Sequence, residues 1–252
     1  MRESARRLAD VGAVLREAVK PGVSTGELDA IAEREIRARG GVPSFKGYTA
    51  GGDVPFPATI CSSVNDEVVH GIPGDRVLVD GDIVSVDMGL IYGGYHADHA
   101  FTAAVGEVSD AVKELLDATE RSLYEGVLRA TAGNRIGDIG HAIQKYVEPK
   151  GFGVVREYVG HGIGRRLHEA PSVPNYGRPG KGNLLKAGMC LAIEPMITMG
   201  SFKTKLLEDA WTVATLDGSL AAHFEHTIVI TERGPEVLTA PEGAMRAWPA
   251  GA

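Results

Sequence analysis

The chain has 252 residues, 44% of them hydrophobic, and a net charge of -7 with its Lys and Arg dispersed rather than gathered into a stripe. A hydrophobic share of that size builds a full core, which excludes a disordered chain, and dispersed cations leave no electrostatic footprint for DNA or RNA. Cys61 and Cys190 form no Cys-x-x-Cys pair, against a disulfide framework or zinc ribbon. Met1-Arg2-Glu3-Ser4 opens no charged-then-apolar leader and no apolar run nears about 18 residues, so the expected setting is the cytoplasm, with no membrane span.

In chain order, the spacing of Leu8, Val11, Leu15 and Val19 predicts a first helix, and Leu28, Ile31 and Ile36 predict a second that stops near Gly40. His70-Gly71-Ile72-Pro73 follows. A β-prone stretch from Val77 then runs through Gly81 to a carboxylate at Asp87, and His96-Ala97-Asp98-His99 opens a further apolar run. After the Gly106 to Asp110 boundary the order starts again. Val112, Leu115, Leu116, Leu123 and Val127 mark a third helix, and Ile139, Ile143 and Val147, near Gly151, mark a fourth. His161-Gly162-Ile163-Gly164 echoes the first His-Gly run. Leu184 to Glu194 repeats the β-prone stretch through Gly188, and His223-Phe224-Glu225-His226 precedes Thr227-Ile228-Val229-Ile230.

Features recurring in one order read as an internal duplication with pseudo-two-fold symmetry. The expected organisation is a single domain over 1-252, with halves at about 1-106 and 107-240 and no long linker between them. The class is α+β: a curved antiparallel sheet shared by the halves and backed by four helices.

Asp87 and Asp98 flank the turn-prone Tyr92-Gly93-Gly94, so a hairpin there places them nearly opposite, about 5 Å apart. Two ionised carboxylates at that distance repel unless a cation lies between them. Glu194 and Glu225 interrupt strands that read as buried, where an unpaired carboxylate is costly. Taken singly, each acid reads as a strand end or a salt-bridge partner. Paired and repeated, the four read as a site where two divalent cations balance four negative charges, with His161 as a neutral nitrogen donor beside them. His70 and His168 gain weight from lying near this chemistry, whereas His141, on a helix pattern, does not. His99 and His226 follow acids directly and by strand alternation face away from the site.

The run Cys61-Ser62-Ser63-Val64-Asn65-Asp66-Glu67-Val68-Val69-His70-Gly71-Ile72-Pro73 resembles the signature of type I methionine aminopeptidases. The resemblance continues through Val86-Asp87-Met88-Gly89, Tyr95-His96-Ala97-Asp98, Gly160-His161-Gly162-Ile163-Gly164, Leu167-His168-Glu169-Ala170-Pro171, Ile193-Glu194-Pro195-Met196 and Phe224-Glu225-His226-Thr227.

It implies the pita-bread fold and a dinuclear site of Co, Mn, Fe, Zn or Ni ions on Asp87, Asp98, His161, Glu194 and Glu225. A bridging water or hydroxide would attack the first peptide bond, Glu194 would relay its proton, His168 would hydrogen-bond the substrate carbonyl and His70 would sit near the scissile nitrogen. Trp211, Cys61 and Phe56 match pocket-lining positions. The implied substrates are N-termini of nascent polypeptides with a small second residue; a monomer is expected, and any ribosome contact would use the catalytic domain itself.

Three places depart from the family pattern: the segment Thr49 to Pro57, His99 where a small hydroxyl residue is usual, and Leu167 in place of a common Phe. Two rivals remain at this point, a proline-specific peptidase of the same fold and a non-catalytic protein that only binds polypeptide.

Overall fold

The computed structural model describes residues 1-49 and 53-240. The first half runs α1 (Arg2–Ala18), α2 (Thr25–Ala38), β1 (Val42–Pro43), β2 (Ile60–Val64), β3 (Glu67–Val69), β4 (Ile83–Tyr92) and β5 (Tyr95–Ala104). The second runs α3 (Asp110–Arg129), α4 (Ile136–Val147), β6 (Gly153–Val154), β7 (Gly160–Gly162), β8 (Glu169–Val173), β9 (Cys190–Ile193), β10 (Met196–Thr198), β11 (Thr204–Leu206), β12 (Val213–Thr215), β13 (Ala221–His223), β14 (Glu225–Thr231) and β15 (Gly234–Val237).

The helices form where their apolar stripes and caps dictate. Leu8, Val11 and Leu15 lie on one face of α1 and are fully buried, and so are Leu28 and Ile36 of α2. The Ser24 hydroxyl accepts from the Glu27 amide while the Glu27 carboxylate accepts from the Ser24 amide, a capping box that starts α2. Ser109 caps α3 by accepting from Val112 N–H.

A nine-stranded antiparallel sheet takes the order β1-β4-β5-β14-β9-β7-β8, with β2 added on β4 and β15 on β14. Helices and sheet enclose one core in which Leu15, Leu115 and Leu123 share a cluster with Val86, Phe101 and Ile228. Among the described residues no helix is long and apolar enough to cross a membrane.

The same backbone bonds recur in the two halves. Gly22, Thr25 and Gly26 donate to Leu78, Arg76 and Gly74; Gly133, Ile136 and Gly137 donate to Leu185, Asn183 and Lys181. Isolated bridges match likewise, Ser24 with Val77 and Arg135 with Leu184.

The halves meet where β5 pairs with β14, Ala100 opposite Glu225 and His99 opposite His226. At each end of this short ladder a threonine hydroxyl replaces a backbone bond. Thr227 Oγ1 accepts from Asp98 N–H at 2.9 Å and donates to Asp98 C=O at 2.8 Å. Thr102 Oγ1 does the same for His223, both at 2.8 Å. Side-chain hydroxyls thus stand in for backbone pairing beside Asp98 and His223.

The β4-β5 hairpin corrects one expectation. Its turn pairs Tyr92 with Tyr95, so Asp87 lies opposite Ala100 and Asp98 opposite Gly89. Asp87 and Asp98 are thus diagonal neighbours on one face rather than opposed, because two left-handed glycines, Gly93 (φ 58) and Gly94 (φ 78), make the turn and set the register.

Candidate active site

Asp87 comes from the middle of β4, Asp98 from β5, His161 from β7, Glu194 from the residue after β9 and Glu225 from the start of β14. The topology brings all five to a cavity of about 370 Å³, which His70, His168, Cys61, Phe56 and Trp211 also line. Asp98, His161 and Glu225 each offer a donor atom within 4.8 Å of the others.

His161 carries the strongest chemical statement. Its Nδ1 lies 2.9 Å from the carbonyl of Gly162 and must hold the proton, since a carbonyl only accepts. Burial holds the imidazole's pKa down to about 3, so the ring is neutral and Nε2 carries a bare lone pair. That lone pair faces Asp98 Oδ2 at 3.7 Å and Glu194 Oε1 at 3.6 Å. A lone pair facing two ionised carboxylates is repelled until a proton or a metal cation sits between them.

The carboxylates report the same deficit. Asp87 Oδ1, Asp98 Oδ1 and Glu225 Oε1 are buried without a hydrogen-bond partner. Burial, reinforced by Glu194, raises Asp87 to about 7, and burial raises Glu194 to about 8. Asp98 and Glu225 are pushed well above the usual carboxylate range by burial and by the acids around them. Four oxygen donors and one imidazole suit divalent transition metals, and the orphaned atoms are the ones such ions would satisfy.

The remaining predicted residues surround this centre. His70 is held at φ 61, in the left-handed region, just before Gly71, where a Cβ would meet the Ser62 carbonyl oxygen at 2.3 Å. The strained turn stands the imidazole edge-on to Trp211 and Tyr158 at 6.2 and 5.7 Å. Burial lowers its pKa to about 4. Trp211 in turn packs edge-on to Phe56, and the buried Cys61 belongs to the same apolar cluster. His168 stands 4.2 Å from the His161 ring.

His99 and His226 lie behind the carboxylates, stacked at 4.9 Å and 4° on each other, with His99 Nδ1 against the Glu225 carbonyl. Gly12 of α1 leaves room for the extra ring, since a Cβ there would sit 3.1 Å from His99. Leu167 lines the cavity. Of the divergent segment Thr49 to Pro57, residues 50-52 lie outside the described ones.

Sequence reasoning missed Phe45, Tyr48, Tyr158 and Met196 as lining residues. It also missed His223, whose buried Nε2 has no hydrogen-bond partner and lies 3.6 Å from Glu194 Oε2. A signal for His223 existed: two residues before Glu225, strand alternation puts it on the same face.

A model of metallopeptidase family M24 matches residues 1-232. Methionine aminopeptidase 1 of Bacillus subtilis is 56% identical over 239 residues, 95% of this chain and 94% of its own. Methionine aminopeptidase 1 of Mycobacterium tuberculosis is 49% identical over 232 residues, 89% of this chain and 85% of its own. Among solved structures, methionine aminopeptidase from Thermotoga maritima matches with a TM-score of 0.92 at 44% identity, covering 96% of this chain and 95% of that one. Prolidase from Pyrococcus furiosus matches at TM-score 0.75 and 20% identity, and this chain covers 63% of it, a likeness of fold alone. The fold is thus the pita-bread α+β fold. With matches that run nearly end to end over a cavity built to receive metal, the chain is a hydrolase that belongs to metallopeptidase family M24, on the branch of the type I methionine aminopeptidases.

Proposed function

We propose that the enzyme removes the N-terminal methionine from nascent polypeptides in the cytoplasm, acting as a monomer and preferring a small second residue. The observation that carries the proposal is the bare Nε2 of His161 aimed at Asp98 and Glu194. Asp87, Asp98, His161, Glu194 and Glu225 would hold two divalent ions, of Mn, Fe, Co, Ni or Zn. Bound there, such ions polarise a carbonyl and lower the pKa of a water.

The protein's own groups do the rest. Glu194 takes the proton of the attacking water and passes it toward the departing amine. His168 donates to the carbonyl oxygen as charge develops there, and His70 stands near the scissile nitrogen. The apolar cluster of Phe56, Cys61 and Leu167, closed by Trp211, accepts an unbranched thioether side chain and excludes water from it. Contact with the ribosome would use the surface of this same domain.

The test is methionine release from Met-Ala-Ser and Met-Arg-Ser by metal-stripped protein, with and without added Mn²⁺ or Co²⁺. Cleavage of Met-Ala-Ser alone, and only with metal, is the expected result. No cleavage with any divalent ion would return the chain to a polypeptide-binding role.

A further inference from the structure

Tyr48, which lines the cavity, touches a proposed catalytic group through a hydrogen bond. Its hydroxyl lies 2.5 Å from His168 Nδ1, with the rings 5.2 Å apart. The main chain pins it there. Tyr48 N–H donates to Phe45 C=O, Tyr48 C=O accepts from Phe56 N–H and Gly47 N–H donates to Phe56 C=O, each at 2.8 Å. The chain thus leaves for the divergent segment and returns from it through a neck whose two sides are Tyr48 and Phe56.

A neutral imidazole has one N–H to share between two nitrogens, and whichever nitrogen accepts a hydrogen bond leaves the proton on the other. Either partner of the 2.5 Å contact could hold the proton between them, and a substrate carbonyl, which only accepts, selects the arrangement in which the phenol donates. A phenol donating to Nδ1 therefore puts the ring proton on Nε2. We propose that Tyr48 is a positioning residue that locks His168 in the Nε2–H tautomer, so that an N–H rather than a lone pair is presented to the substrate carbonyl. This rests on His168 being the carbonyl's hydrogen-bond donor. A neutral donor also suits the place: an imidazolium 4.2 Å from the His161 ring would repel the cations that His161 is proposed to bind.

The test uses zinc-loaded, ¹⁵N-histidine-labelled enzyme, with His168 assigned by its loss in His168→Gln. The wild type is expected to show a protonated-type Nε2 and an unprotonated-type Nδ1. In Tyr48→Phe the two shifts should move toward each other, with kcat down about five- to tenfold and KM nearly unchanged. In a His168→Gln background, Tyr48→Phe should cost nothing further. A proton on Nδ1 in the wild type overturns the lock whether or not Tyr48→Phe folds. So do shifts that ignore Tyr48→Phe, or a full additional loss in the His168→Gln background. If His168→Gln alone keeps normal kcat, the role given to His168 fails, while the nitrogen shifts still decide the lock.

Discussion

Asp87, Asp98, Glu194 and Glu225 each hold a proton more tightly in the folded chain than free carboxyls do, because burial and mutual repulsion penalise the ionised forms. In the unfolded chain they titrate near about 4. A folded-state pKa above the unfolded value means stability that is full below the unfolded value and lost as pH rises through the folded one. With Asp87 near 7 and Glu194 near 8, metal-stripped protein should melt progressively lower between about pH 6 and pH 8. Added Mn²⁺ should restore most of that loss. Glu225→Gln should separate stability from function: its metal-free melting temperature at about pH 8 rises above wild type, while the gain on adding Mn²⁺ shrinks and turnover falls on the order of 100-fold or more. Differential scanning fluorimetry with EDTA or Mn²⁺, beside a peptide assay, measures both. An unchanged or lower metal-free melting temperature would contradict the electrostatic account.

The elements differ in how far the sequence alone reveals them. The stripes of α1 to α4 are local, one residue in three or four, so Leu8, Leu28, Leu115 and Ile139 mark them directly. The carboxylates are legible because each appears twice in a recurring order. The diagonal of Asp87 and Asp98 is not, since one step of hairpin register depends on how two glycines turn. Phe45, Tyr48 and Tyr158 are invisible for a related reason: each reaches the cavity through a loop whose course is set by distant partners. The Tyr48–Phe56 neck also makes the length of the segment it encloses nearly independent of the pocket. Lengthening the chain between two fixed ends is cheap, about 0.6 kcal/mol per doubling. Four Gly/Ser residues inserted between Gly51 and Gly52 should therefore leave kcat/KM for Met-Ala-Ser within about twofold. A large rise in KM would show that the segment itself contacts substrate.

At the scale of the molecule, the proposed ligands are divided. Asp87 and Asp98 belong to the first half, and His161, Glu194 and Glu225 to the second. The halves join through a two-pair ladder extended by Thr102 and Thr227. The bonds that recur around Ser24 and Arg135 support reading them as copies of one unit. Cut between Glu107 and Val108, the chain would become a complementation pair. Fragments 1-107 and 108-252, refolded together, are expected to release methionine from Met-Ala-Ser when Mn²⁺ is present, and each alone to release none. Activity from one fragment alone would mean that the chemistry needs only one half. Silence from either piece and signal from both would make the enzyme a reporter of proximity, with free methionine announcing that two partners fused to the fragments have met.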